Sequence, residues 1–337
     1  MRKSPSWFEV VVVAAAALVA CLAAVSSIAW GEEPRIPGLS RWERQMKTYG
    51  ERHCASLARL SGDDALAATY YDMIRVMYQI ADYTGDADWK ACALRARDIY
   101  RDGYVLRHNG GVPGYWNFTT GLRIDAERTG DSQSRQAVVL LSQHAAYSAD
   151  STPLELTRRG DLSREVAYTI IGYINAEMLG QPRRARRTAL VNQAYGHLDQ
   201  WFVQFAWRDP SGNVTTQFSP FMVALTAQAL IRDWEQTRDA RLVPALTRAA
   251  DWLWTNAWIR SERAMWYEAA HPGKAALDLN LLIAPLYAFL YRQAGNSKYL
   301  EQGDALFASG VDSAWLDGAK QFNQSYWWSF DYVKWRR

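Results

Sequence analysis

Ile80-Ala81-Asp82-Tyr83-Thr84-Gly85-Asp86 and Asp125-Ala126-Glu127-Arg128-Thr129-Gly130-Asp131 end on the same three residues, and that ending decides how the chain is read. Glycine accepts the left-handed backbone that closes one helix, and an aspartate just after it caps the next. Thr-Gly-Asp therefore marks a tight helix–helix turn. Leu179-Gly180-Gln181, Thr237-Arg238-Asp239 and Ala294-Gly295-Asn296 stand in equivalent places, the second of these without its glycine. Steps of roughly 45 to 60 residues separate them, the length of a helical hairpin plus one longer loop.

The flanks agree. Leu66, Tyr70, Met73, Ile74, Met77 and Tyr78 recur at helical spacing before the first turn, as do Val166, Ile170, Tyr173 and Ile174 before the third. Ser219-Pro220 opens a further helix, with serine as cap and proline in the first turn, where its missing N–H does no harm. Pro285 falls inside an apparent helix from Asp278 to Gln293 and should kink it. No stretch alternates with period two, so no sheet is expected. Longer, loop-like connections run through 108–114, 148–160, 209–216 and 260–276. With a first helix near Arg41–Leu60 and a last one after Phe322, about twelve helices are expected. Six hairpins close most naturally into a double-layered ring, with tight turns on one face and long loops on the other. An open superhelix is the competing arrangement. The expected fold is all-α, an (α/α)6 toroid of six helical hairpins forming a single domain over residues 40–337.

Arg2 and Lys3 precede an apolar run from Val10 to Trp30, which Gly31-Glu32-Glu33-Pro34 breaks. A charged start, an apolar middle and a polar exit are the layout of a secretory signal. The run is also long enough to span a bilayer, and Leu18-Val19-Ala20-Cys21 resembles a lipoprotein cleavage box. For residues 1–31 a cleaved signal, a retained anchor and a lipidated terminus all stay open. Each exports the remainder to the periplasm or the extracellular space, and the retained anchor attaches it to the membrane through residues 10–30. Beyond the leader only Cys54 and Cys92 remain. In an oxidising compartment one disulfide is the natural suspicion, with two buried thiols as the alternative.

Several function classes drop out. A net charge of +3 is too small to imply a nucleic-acid partner, and the run Arg183, Arg184, Arg186 and Arg187 has no interleaved aromatics to stack bases. No Cys/His cluster suggests a metal, and no cofactor is expected. G-x-S-x-G and G-K-[ST] are absent, so serine-hydrolase and P-loop chemistry find no foothold.

The repeated turn, the hairpin count and the aromatic-rich loops together resemble the six-hairpin glycosidase-like superfamily, over nearly all of the chain beyond the leader. The resemblance implies a polysaccharide or oligosaccharide groove on the long-loop face, at the N-terminal ends of the inner helices. It also implies an activity among glycosidases, uronate-processing hydrolases, lyases and epimerases, a choice the fold does not make. Inner helices would begin near Asp63, Trp116, Ser163, Pro220, Asp278 and Asn323.

Inverting hydrolysis needs one carboxylic acid to protonate the leaving oxygen and one carboxylate to activate water. Acids at those helix starts are the candidates. Glu165, beside Arg164 and Tyr168, and Asp278, among apolar neighbours, are the expected catalytic pair, although the helix dipole alone favours acids in first turns. Asp64 reads as a cap, and Glu268 is held in reserve. Asp72, Trp116, Arg164, Tyr168, Asn323, Gln324 and Trp327 are the expected substrate contacts. Trp116 follows a Gly-rich loop alongside Tyr115 and Phe118, and such flat apolar faces suit sugar rings as well as cores. Asn323-Gln324-Ser325-Tyr326-Trp327 looks somewhat like the Asn/His/Ser/Tyr/Trp string of single-domain alginate lyases, without its histidine. His144 lies in an apparent outer helix, where a structural role is expected. The leading expectation is an exported inverting glycoside hydrolase acting on an envelope or extracellular polysaccharide. The alternatives are a uronate lyase working by β-elimination and a non-catalytic polysaccharide-binding or scaffold protein.

Overall fold

The computed structural model describes residues 35–337, so the leader and its three alternatives lie outside the described residues. Each tight turn is built as its sequence requires. Helix α3 (Met73–Thr84) closes on Gly85 at φ 71°, and Asp86 accepts the Asp88 N–H at 2.9 Å to open α4 (Asp88–Arg97). Helix α5 (Thr120–Thr129) closes on Gly130 at φ 73°, and Asp131 caps α6 (Ser132–His144) through the N–H groups of Gln133 and Ser134. Helices α9 (Pro220–Thr237) and α10 (Leu242–Asn256) are joined without glycine. Arg238 takes the left-handed conformation itself, at φ 55°. The threonine of the motif also contributes, since Thr84, Thr129 and Thr237 each donate back to the carbonyl four residues earlier.

Two classes of helix result. Helices α7 (Ser163–Met178), α9 and α11 (Asn280–Ala294) are buried around their whole circumference over 165–176, 220–231 and 280–290. Pro285 lies within α11, and the helix continues past it to Ala294. In α10 burial recurs only at Leu242, Ala245, Leu246, Ala249, Ala250 and Leu253, one face of the helix. All-round burial marks a core element and a single stripe marks an outer one. The inner set is α3, α7, α9, α11 and the last segment, broken at Trp328 into α13 (Ala319–Trp327) and α14 (Ser329–Arg336), together with α5, which is buried along one stripe only but packs against both α3 and α7. Within it each helix packs on the next in chain order, and α13 packs back on α3. The outer set is α1 (Leu39–Leu57), α4, α6, α8 (Ala185–Phe202), α10 and α12 (Ser297–Asp312). Among the described residues the only sheet is a two-residue ladder, Trp258–Ile259 against Ala264–Met265.

First and last hairpins are joined by buried aromatics. Trp42 of α1 is fully buried, donates through Nε1 to Ser329 Oγ at 3.0 Å, and accepts the Tyr326 hydroxyl on its carbonyl at 2.9 Å. His53 of α1 donates to the Leu316 carbonyl at 2.7 Å. Cys54 of α1 is bonded to Cys92 of α4, with Cα atoms 5.5 Å apart. The bond closes a loop whose ends are 38 residues apart, which restricts the unfolded chain. Replacing both cysteines with serine is expected to remove roughly 2–4 kcal/mol of stability, read as a lower urea midpoint. An unchanged midpoint contradicts this.

His53 and the equally hidden His197, which donates to the Thr157 carbonyl at 3.0 Å, are both pushed below the ordinary histidine range by burial, with the carbonyl bonds opposing. Folded protein thus refuses protons that the unfolded chain takes up as pH falls through about 6.5. Stability should decline from pH 7 to pH 5, and His197→Gln should flatten part of that slope. An equal slope in the variant would remove His197 from the account.

Candidate functional site

The surface on the long-loop side begins where the expected helix near Asp63 fails. Short α2 (Gly62–Ala68) stops, and Tyr71 and Asp72 turn the chain in the left-handed region at φ 61° and 54°. Two successive non-glycine residues there store strain and persist only when their surroundings hold them. Here the holders are identifiable. Asn323 Nδ2 of α13 donates to the carbonyls of Ala68 and Tyr70, both at 2.8 Å. The Asp72 carboxylate accepts the N–H of Gly121 at 2.9 Å and of Arg75 at 3.3 Å. Gly121 must be glycine, because a Cβ would collide with that carboxylate.

These bonds give two of the expected substrate contacts structural partners. Asp72 is the buried cap of α3 and ties α3 to α5. Asn323 is fully buried, and its amide nitrogen is committed to backbone, so it positions the site from beneath. Its Oδ1 has no partner among the described residues. Gln324 likewise holds backbone, donating to the Asp278 carbonyl at 3.1 Å.

What the clamp presents is aromatic. Tyr70 meets Tyr71, Trp116 and Phe118 edge-on at 4.9, 4.7 and 5.1 Å between ring centroids. Trp327 lies 5.8 Å from both Tyr71 and Tyr168. Trp116 stays half-buried, whereas Tyr168 and Trp327 are buried. The loop carrying Trp116 is fixed by Tyr100, whose hydroxyl donates to the Trp116 carbonyl and accepts the Phe118 N–H at 3.1 Å.

Glu165 sits in the first turn of α7, under the Gly-rich loop. A Cβ on Gly114 would come within 2.8 Å of Glu165 Cγ, so only glycine lets the loop cross so closely. Arg164 binds Glu165 Oε1 through Nη2 at 2.7 Å and Nε at 3.2 Å. Oε2 is buried without a partner, as is the Tyr168 hydroxyl. The Arg164 guanidinium also lies 5.4 Å from the exposed Tyr115 ring. Burial pushes the Tyr70 phenol up to about 12, with Arg164 lowering it and Glu165 raising it.

Asp278 occupies a half-buried turn, Leu277–Leu279, just before α11. Its carboxylate makes no hydrogen bond or ion pair among the described residues. The neighbouring phenol, Tyr71, is raised by burial, and the charges of Arg164, Tyr267 and Asp278 all act on it. Trp116, Tyr168 and Trp327 thus pack around the Tyr70–Tyr71 corner, and the charges of Arg164, Glu165 and Asp278 act on its two phenols. Sequence reasoning missed the corner formed by Tyr70 and Tyr71, because Leu66, Tyr70 and Met73 keep helical spacing straight through the break. The pair of bulky residues before a capping aspartate was the available signal. His144 binds the Asn109 carbonyl at 2.6 Å and braces the Gly-rich loop. Glu268 pairs with His271 at 2.8 Å.

No family model matches this chain, and no curated protein matches it.

Asn323→Ala should strip two buried carbonyls of their donor and lower stability by roughly 1–3 kcal/mol. Near-ultraviolet circular dichroism should change with it, as the Tyr70–Tyr71 corner relaxes. A variant with native melting and native aromatic signal would show that Asn323 does not hold the corner.

Proposed function

We propose that the two helix sets form an (α/α)6 toroid of the six-hairpin glycosidase-like kind, and that the protein is an exported inverting glycoside hydrolase of envelope or extracellular polysaccharide. The observation that carries this reading is Glu165 Oε2, a buried, unclaimed carboxylate oxygen beneath an aromatic wall that also has Asp278 within electrostatic reach. Stacked aromatics suit the flat apolar faces of sugar rings. Glu165, held through its other oxygen by Arg164, takes the proton of an attacking water, and Asp278 gives a proton to the leaving oxygen. Trp116 and Tyr115 offer the accessible stacking faces, and Trp327 and Tyr168 form the floor. Export is supported by the charged, apolar and polar order of residues 2–34, and by a disulfide, which suits an oxidising compartment.

The lyase alternative needs a free amide or arginine to neutralise a uronate carboxylate. Asn323 and Gln324 donate to backbone and Arg164 to Glu165, so the hydrolase reading is preferred.

Glu165→Gln and Asp278→Asn, made separately, should each lower turnover of the polysaccharide by at least about 100-fold while melting within a few degrees of the parent. Unaltered turnover in either variant removes its residue from the mechanism. A parent protein that retains polysaccharide but never shortens it would favour the binding-protein reading.

A further inference from the structure

A cavity of about 330 Å³ lies between the C-terminal halves of α7 and α9 and the first turns of α3 and α5, and neither Glu165 nor Asp278 lines it. Its walls carry three arginines, Arg75, Arg123 and Arg232, against two acids, Asp331 and Glu235. Asp331 is shared, accepting from Arg75 at 3.1 Å and from Arg232 at 2.8 Å. Arg232 also reaches the exposed Glu235 at 3.0 Å. Arg123 donates through Nε to Asn175 at 2.9 Å and pairs with exposed Glu127. A guanidinium has five N–H donors, so most of those on the three arginines have no protein acceptor.

The amide of Gln228 supplies an independent observation. Gln228 lines the same cavity and is 1% exposed, yet neither its Nε2 nor its Oε1 has a partner. Gln79 Oε1, on the same wall, is also unpartnered. Buried amides are normally satisfied, by ligand or by ordered water when not by protein. Here an amide able to donate and accept faces a space bordered by surplus guanidinium donors.

We propose that this cavity binds one small oxyanion, a carboxylate or a phosphate, at a site separate from the groove. Arg75, Arg123 and Arg232 supply charge-assisted hydrogen bonds, and Gln228 completes the donor set. Arg75 is the most deeply buried of the three arginines, and the other two guanidinium groups act on it. Burial pushes its guanidinium down to about 10, Asp331 opposes this, and Arg232 and Arg123 deepen it. An entering anion relieves that repulsion. The Arg75 guanidinium also lies 5.6 Å from the Trp327 ring, so the cavity and the groove floor share a wall.

Isothermal titration of the full chain at constant ionic strength, with glucuronate, phosphate and glucose in turn, tests the proposal. One-to-one saturable binding of glucuronate identifies a carboxylate site, and of phosphate a phosphate site. Glucose should not bind there. Arg123→Gln and Gln228→Met should each weaken anion binding at least tenfold, whereas Glu165→Gln should leave it unchanged. Gln228→Met should melt no lower than the parent, since it removes two unpartnered amide atoms, and so separates lost binding from lost folding. Heats that never saturate, equal binding of glucose, or anion affinity untouched in both cavity variants overturns the proposal. None of these outcomes depends on polysaccharide turnover.

Discussion

The placement of the Tyr70–Tyr71 corner rests on where the chain turns between α2 and α3, and one side-chain amide sets that turn. Asn323 reaches from the last buried segment to the carbonyls of Ala68 and Tyr70. The same contact brings α13 against α3 and so links the end of the helix series to its start. Two left-handed residues, Tyr71 and Asp72, are unfavourable locally and are held by this amide and by the backbone N–H groups that Asp72 receives. Packing of the last hairpin on the first is thus the condition for presenting Tyr70 and Tyr71 as a platform. A chain that failed to bring α13 home would lose the corner and with it the setting of Trp327.

Opposite ends of the buried helices are held by different forces. Toward the tight turns, buried carboxylates bind strong donors. Asp125 accepts from Tyr78 and Ser134, both at 2.6 Å, and Asp233 accepts from the fully buried Arg187 at 2.7 and 3.0 Å. Breaking such a pair leaves an uncompensated buried charge, which fixes helix register firmly. Toward the long loops, aromatic edges pack around the Arg164–Glu165 ion pair, and several polar atoms are left without protein partners, among them Glu165 Oε2, the Tyr168 hydroxyl and Trp327 Nε1. Unsatisfied groups carry a real free-energy cost. Such atoms also occur at the other end, at Gln79 and Gln228, so each end of the buried helices holds polar groups open to a ligand.

The helical class and the hairpin punctuation were legible in the sequence because Gly and Asp act locally. The left-handed closure at Gly85 and the cap at Asp131 need only their own neighbours. Even Arg238, without glycine, was readable from the Asp239 that follows. Tyr71 and Asp72 were not legible, because their conformation is imposed by Asn323, some 250 residues away, against an apolar spacing that argues for continuous helix. Asn323 and Gln324 were noticed for their unusual polarity, but their partners are backbone carbonyls, which leave no trace in side-chain patterns. Glu165 was singled out by its place after a long loop. Its burial under Gly114 is a tertiary fact. The arginine cavity escaped for a similar reason, since Arg75, Arg123 and Arg232 sit on three helices and nothing in local sequence joins them.

Glu165 and Asp278 are proposed to act on one glycosidic bond from opposite sides, one through water and one through the leaving oxygen. Proton NMR of the first product released from an exopolysaccharide tests it most directly, because the newly formed anomeric centre records the direction of attack. Inversion of the cleaved linkage is the predicted result. Retention of configuration, or the vinyl proton of an unsaturated uronate, would contradict the account.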